Sequence, residues 1–92
     1  MAVNVEIPRI FTSYTGGRRS VAAAGANLSE LLTDLEVQHP GIRGRLVNDE
    51  GKLRKFINVY INDSNVRSGQ ELESQLTDGD VVCIIPAMAG GA

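Results

Sequence analysis

Four leucines at helical spacing constrain this chain most. Leu28, Leu31, Leu32 and Leu35 recur at i, i+3, i+4 and i+7, which places all four on one face of a helix while Glu30, Asp34 and Gln38 point elsewhere. Asn27 stands where a side-chain oxygen caps a helix. Glu30 occupies the third helical position, from which a carboxylate reaches back to the cap. His39-Pro40-Gly41 closes the helix, because proline disfavours a helical residue before it and glycine tolerates the turn that follows. A helix apolar on one stripe must bury that stripe, and the rest of the chain supplies strands to bury it against.

Val3, Val5 and Ile7 alternate with Asn4, Glu6 and Pro8, the period of a strand with one wet face, and this predicts a first strand from Val3 to Phe11. Thr15-Gly16-Gly17 supplies a turn, and Ser20-Val21-Ala22-Ala23 returns as the second strand of a hairpin. Ile42 to Leu53 reads as irregular. Alternation resumes at Phe56, with Ile57, Val59 and Ile61 on one side, Phe56, Asn58 and Tyr60 on the other, and Asn62-Asp63 closing the strand. Asn65-Val66-Arg67 is a short fourth strand, and Leu72 to Leu76 is a stretch of turns around one or two buried leucines. Asp78-Gly79 then turns the chain into Val81-Val82-Cys83-Ile84-Ile85, a buried strand whose pairing ends at Pro86. The expected fold is α+β, a mixed sheet of four to five strands with one main helix packed across one face. Residues 1–86 form the domain, and 87–92 form a flexible tail.

Ninety-two residues suffice for one core. With nine basic and eleven acidic residues the net charge is −2, so there is no overall field to concentrate nucleic acid or an anionic membrane. Cys83 is the only cysteine, which excludes an internal disulfide and a cysteine-rich metal site and suits the cytoplasm. The first residues lack the basic start and apolar run of a signal peptide, and no stretch approaches transmembrane length.

Material for catalysis is scarce, and an enzyme is not expected. His39, the single histidine, falls at the helix end, where a structural role suits it. Gly16-Gly17 is a turn, since no lysine, serine or threonine follows at phosphate-loop spacing. The basic residues Arg43, Arg45, Lys52, Arg54 and Lys55 read either as a solvated loop or as a docking patch. If Val82 and Ile84 pack inward with Ile57 and Val59, then Phe56, Tyr60, Cys83 and Ile85 gather on the outer face as a partner-docking surface, unless the 43–55 segment covers them. Beyond Pro86, the residues Ala87, Met88, Ala89, Gly90 and Gly91 carry no charge and no β-branch. So slim a segment is either a frayed end or an insert for a narrow channel.

Phe56-Ile57-Asn58-Val59-Tyr60-Ile61-Asn62-Asp63, Asp78-Gly79-Asp80-Val81-Val82 and Pro86-Ala87-Met88-Ala89-Gly90-Gly91 resemble the ubiquitin-like β-grasp sulfur carriers of the MoaD and ThiS group, especially those of an actinobacterial cysteine-biosynthesis route. The resemblance covers nearly the whole chain. It implies a protein that is itself a substrate: a ubiquitin-activating type adenylyltransferase uses ATP to adenylate the Gly91 carboxylate, and sulfur then replaces the adenylate as a thiocarboxylate. The carrier would bind no cofactor or metal itself. Its sulfur would pass to a sulfhydrylase or to a thiosugar or cofactor synthase. Ala92 departs from the pattern, because Gly91 has no free carboxylate until the Gly91-Ala92 bond is cut, as by a JAMM-type zinc metalloprotease. A ubiquitin-like protein modifier and the small subunit of a molybdopterin synthase are the alternatives the same resemblance leaves open.

Overall fold

Alternation and the leucine stripe both appear in the computed structural model, which describes residues 2–86. Strands β1 (Ala2–Glu6) and β2 (Ser20–Ala24) form an antiparallel hairpin, with Val5 opposite Val21 and Val3 opposite Ala23. Helix α1 (Leu28–Gln38) follows, then a short helix α2 (Arg43–Leu46), β3 (Ile57–Ile61), β4 (Ser64–Asn65) and β5 (Val81–Pro86). The sheet has five strands in the order β2-β1-β5-β3-β4. β5 runs parallel to β1 and antiparallel to β3, so the last strand lies at the centre of the sheet. That position explains its composition: both edges are paired and its inner face is covered, which β-branched residues fill well.

Leu28, Leu31, Leu32 and Leu35 are at most 1 % exposed and join Val3, Val5, Val59, Val82 and Ile84 in one core. The cap forms as the spacing predicts. Asn27 Oδ1 accepts from the Glu30 N–H at 2.9 Å, while the Glu30 carboxylate accepts from the Ala26 N–H at 3.0 Å, one residue earlier than the cap itself. Just past the end of β2 the backbone lies against α1 at Gly25, where an added Cβ would lie 2.5 Å from the Leu31 nitrogen and 2.9 Å from its Cα. Gly25→Ala is therefore expected to lower stability by about 1–3 kcal/mol, because backbone rather than a movable side chain must give way. A urea titration reads this directly.

Four boundaries differ from expectation. β1 ends at Glu6, not at Phe11, because Pro8 lacks the N–H the ladder needs, and Arg9–Tyr14 coils into a 3-10 turn that tucks Phe11 into the core. Ile42 to Leu53 is not featureless: it contains α2 and a bridge between Val47 and Leu53, and Ile42, Leu46, Val47 and Leu53 are all buried. Glu36 anchors that segment to α1. Its carboxylate accepts from the Gly41 and Arg43 N–H groups at 2.9 Å, and these bonds hold its pKa below the ordinary carboxylate value. β4 starts at Ser64, one residue before the expected fourth strand, and Asn65 then caps a 3-10 turn, Val66–Ser68, by accepting from the Arg67 N–H. Finally, Pro86 is a strand residue paired with Ile57. Its nitrogen faces the β1 side of β5, where β1 has already ended, so the missing N–H costs no ladder bond.

Candidate functional site

Strand β5 carries the chain through the middle of the sheet and reaches Pro86 at the end where β1 has turned away. Gly91 and the expected insert Ala87, Met88, Ala89 and Gly90, together with Ala92, lie outside the described residues. What the structure positions is their root and the face beside it.

The register between β3 and β5 settles that face. Val59 pairs with Ile84 and Ile61 with Val82, all directed to the helix side, so Tyr60 opposite Cys83 and Asn58 opposite Ile85 point outward. Phe56, just before β3, is 54 % exposed and Ile85 is 43 % exposed. The 42–55 segment leaves both open, because its apolar residues turn into the core. Tyr60, Cys83 and Ile85 line a shallow cleft with Asn62 and Asp63. On β1 and β2 the outer face carries Asn4, Glu6 and Ser20 among the small, exposed Ala2, Ala22 and Ala24, with the Ser20 hydroxyl donating to Asn4 Oδ1 at 2.7 Å. The large apolar side chains of the outer face thus gather on the strand pair that ends at the tail root.

Cys83 is half-buried on this face. Burial, and secondarily the negative charge of Glu6 on the neighbouring strand, push its thiol pKa above the ordinary value. Both effects disfavour the thiolate, so alkylation by iodoacetamide is expected to be slower than for a free cysteine at pH 8 and to keep rising beyond the pH where a free thiol levels off. Glu6→Gln should shift that curve to lower pH.

Two of the five basic residues of the 43–55 segment brace it. Arg45 Nε donates to the Tyr14 hydroxyl at 2.6 Å with its guanidinium 5.9 Å from the ring centre, and Arg54 Nε donates to the Gly44 carbonyl at 2.9 Å. Arg67 ties the same segment to β3 by donating to the Arg54 and Ile57 carbonyls. His39 is the C-terminal cap of α1, its N–H donating to the Leu35 carbonyl. Gly16 and Gly17, both at positive φ, form the expected turn. No three His, Cys, Asp or Glu side chains among the described residues converge on a metal site. None of the helices among these residues is long and apolar enough to cross a membrane.

A mixed sheet gripping one main helix, with a glycine pair four and five residues past its central strand, has close counterparts. The ThiS family model matches residues 5–91. This chain belongs to the ThiS family. It is 45% identical to the sulfur carrier protein CysO of Mycobacterium tuberculosis, covering 99% of this chain and all of that one. It superposes with a TM-score of 0.91 and 50% identity on a chain of the Amycolatopsis orientalis BexX/CysO complex, covering 97% of this chain and 99% of that one. The small archaeal modifier protein 3 of Haloferax volcanii is 35% identical over 72% of this chain and 71% of its own. The fold is accordingly the ubiquitin-like β-grasp.

Proposed function

We propose that this protein is a sulfur carrier and that Gly91 is the atom-bearing end of it. One observation carries the reading: similarity to a sulfur carrier runs the whole length of the chain, and the family match extends to Gly91 itself. In the proposed cycle, hydrolysis of the Gly91-Ala92 bond by a peptidase, of the JAMM-type metalloprotease class, frees the Gly91 carboxylate. A partner adenylyltransferase then joins that carboxylate to the α-phosphorus of ATP, releasing pyrophosphate. A sulfur donor attacks the acyl carbon, AMP leaves, and the thiocarboxylate so formed donates sulfur to an accepting enzyme in the biosynthesis of cysteine or another sulfur-containing metabolite. The carrier contributes no catalytic group and binds no cofactor; ATP is consumed by its partner.

The geometry supports a division of labour. Residues 87–91 extended span about 17 Å, enough to reach into an active site while the domain stays outside. Fixing a five-residue segment in one extended conformation costs roughly 1–2 kcal/mol per residue in backbone entropy, a cost that contacts on the rigid face beside Pro86 would offset. Phe56, Tyr60, Cys83 and Ile85 supply that face. Replacing Phe56 or Ile85 by aspartate is expected to raise the KM for the carrier about tenfold or more while leaving the melting temperature nearly unchanged, since both side chains are exposed. An unaltered KM would remove the docking role.

The deciding experiment is the intact mass of the protein purified from its own host. A carrier shows loss of Ala92 and an oxygen-to-sulfur mass increase. Similarity to the Haloferax volcanii modifier protein favours a second reading, in which the activated Gly91 is joined to lysines of other proteins. Isopeptide adducts in place of the sulfur increment would establish that reading.

A further inference from the structure

A groove lies on the other side of β5 from the Tyr60 cleft, and two prolines create it. In the β1/β5 ladder the Asp80 carbonyl accepts from the Asn4 N–H at 3.0 Å, whereas the Val81 carbonyl turns the other way and accepts from Asn62 at 2.7 Å. Strand alternation therefore directs the Ile84 carbonyl toward β1. The ladder donor due there is residue 8, a proline with no N–H, and the chain departs into the Arg9–Tyr14 turn. Pro86 adds no donor on the β5 side. The groove is lined by Pro8, Arg9, Arg19, Ile84, Ile85 and Pro86, with Glu6 its only carboxylate. Arg9 and Arg19 are exposed, in a chain whose net charge is −2.

We infer that this groove seats an extended, acidic peptide segment of the enzyme that handles Gly91. The physiological partner rests on the sulfur-carrier reading; the groove's preference does not. Three features select that occupant. With Pro8 in the register position, the β1 ladder offers the Ile84 carbonyl no N–H, and an extended backbone supplies one. Two guanidinium groups ask for carboxylates, and Arg pairs with them in a directional, bidentate way. Gly91 is five residues from Pro86, so any enzyme acting on it presents its surface within about 17 Å of the groove mouth.

The test begins with 15N-labelled protein and an acetylated peptide of alternating glutamate and threonine. Saturable shifts are expected at the amides of Arg9, Arg19 and Ile85, the last reporting on the adjacent Ile84 carbonyl. Affinity should fall about tenfold or more in the doubly substituted Arg9→Glu, Arg19→Glu protein and should weaken with salt. The paired lysine variant should retain part of the binding. Absence of shifts at these amides overturns the inference. So do equal shifts with inorganic phosphate, which would mark a simple anion site, or equal shifts throughout the 43–55 segment, which would mark undirected charge. With the activating enzyme, the glutamate variant should raise the carrier KM about tenfold at unchanged kcat. If the wild-type chain is never thiolated, the sulfur-carrier reading fails while the peptide result stands.

Discussion

A chain ending at Ala89, without Gly90, Gly91 and Ala92, is expected to melt as the full chain does and to take up no sulfur at all. The two expectations separate because, on the sulfur-carrier reading, the folded body and the terminal segment do separate jobs. Among the described residues, the core is complete by Ile84 and the last ladder pair is Ile57 with Pro86. The acyl carbon that would bear sulfur belongs to Gly91, and the carboxylate that the shortened chain carries on Ala89 stops two residues, about 7 Å, short of that position. A companion measurement uses the chain as written. With Ala92 attached, the Gly91 carbonyl is an amide and cannot be adenylated, while the carboxylate of the chain as written sits one residue further on beside a Cβ that a channel fitted to glycine excludes, so ATP-dependent thiolation should begin only after that bond is cut. Intact mass and thermal melting of the three forms, incubated with the activating enzyme, ATP and a sulfur donor, check every part of this. Thiolation of the truncated chain would end the assignment of Gly91, and thiolation of the untrimmed chain would end the need for processing.

Leu31→Ala is expected to destabilise the protein by about 2–5 kcal/mol, through the lost transfer energy of the side chain plus the cavity it leaves. Leu31 is fully buried, and its backbone sits against Gly25, so the helix cannot settle inward to refill the space. Against a total stability of roughly 5–15 kcal/mol for a domain, such a loss is a large fraction. For a domain of this size it should lower the melting temperature by roughly 8–40 °C. Val37 on the same helix serves as the control. It is 74 % exposed, so Val37→Ser should change stability by only about 0.5 kcal/mol or less. A denaturant titration of the two variants side by side measures the difference. A Leu31→Ala protein as stable as the Val37→Ser one would mean that α1 is not clamped to the sheet as the structure places it.

Much of the fold was legible from local pattern, and the same pattern carried part of the candidate site. The i, i+3, i+4, i+7 leucines became the buried face of α1, and Asn27 became its cap, because a helix repeats every few residues and needs no distant partner to reveal which side is apolar. The faces of β3 and β5 followed in the same way from a period of two, which is why the register puts Tyr60, Cys83 and Ile85 on the outer side, while Phe56 lies just before β3 and is exposed. The segment from Ile42 to Leu53 was less legible. Its four buried residues obey no single period, and glycines at 41, 44 and 51 interrupt the pattern, so only packing against α1 shows that it belongs to the core.

From residues alone, then, came the helix and its inward stripe, the strand faces and the slender glycine-ended segment, since each is written in neighbours a few positions apart. Packing in three dimensions decided that the last strand lies between the first and the third, parallel to one and antiparallel to the other. It also decided that Pro8 and Pro86, seventy-eight positions apart in the sequence, border one groove with Arg9 and Arg19. Strand pairing is a choice among distant partners of similar composition, settled by the total burial of the sheet under one helix, and no local periodicity records it.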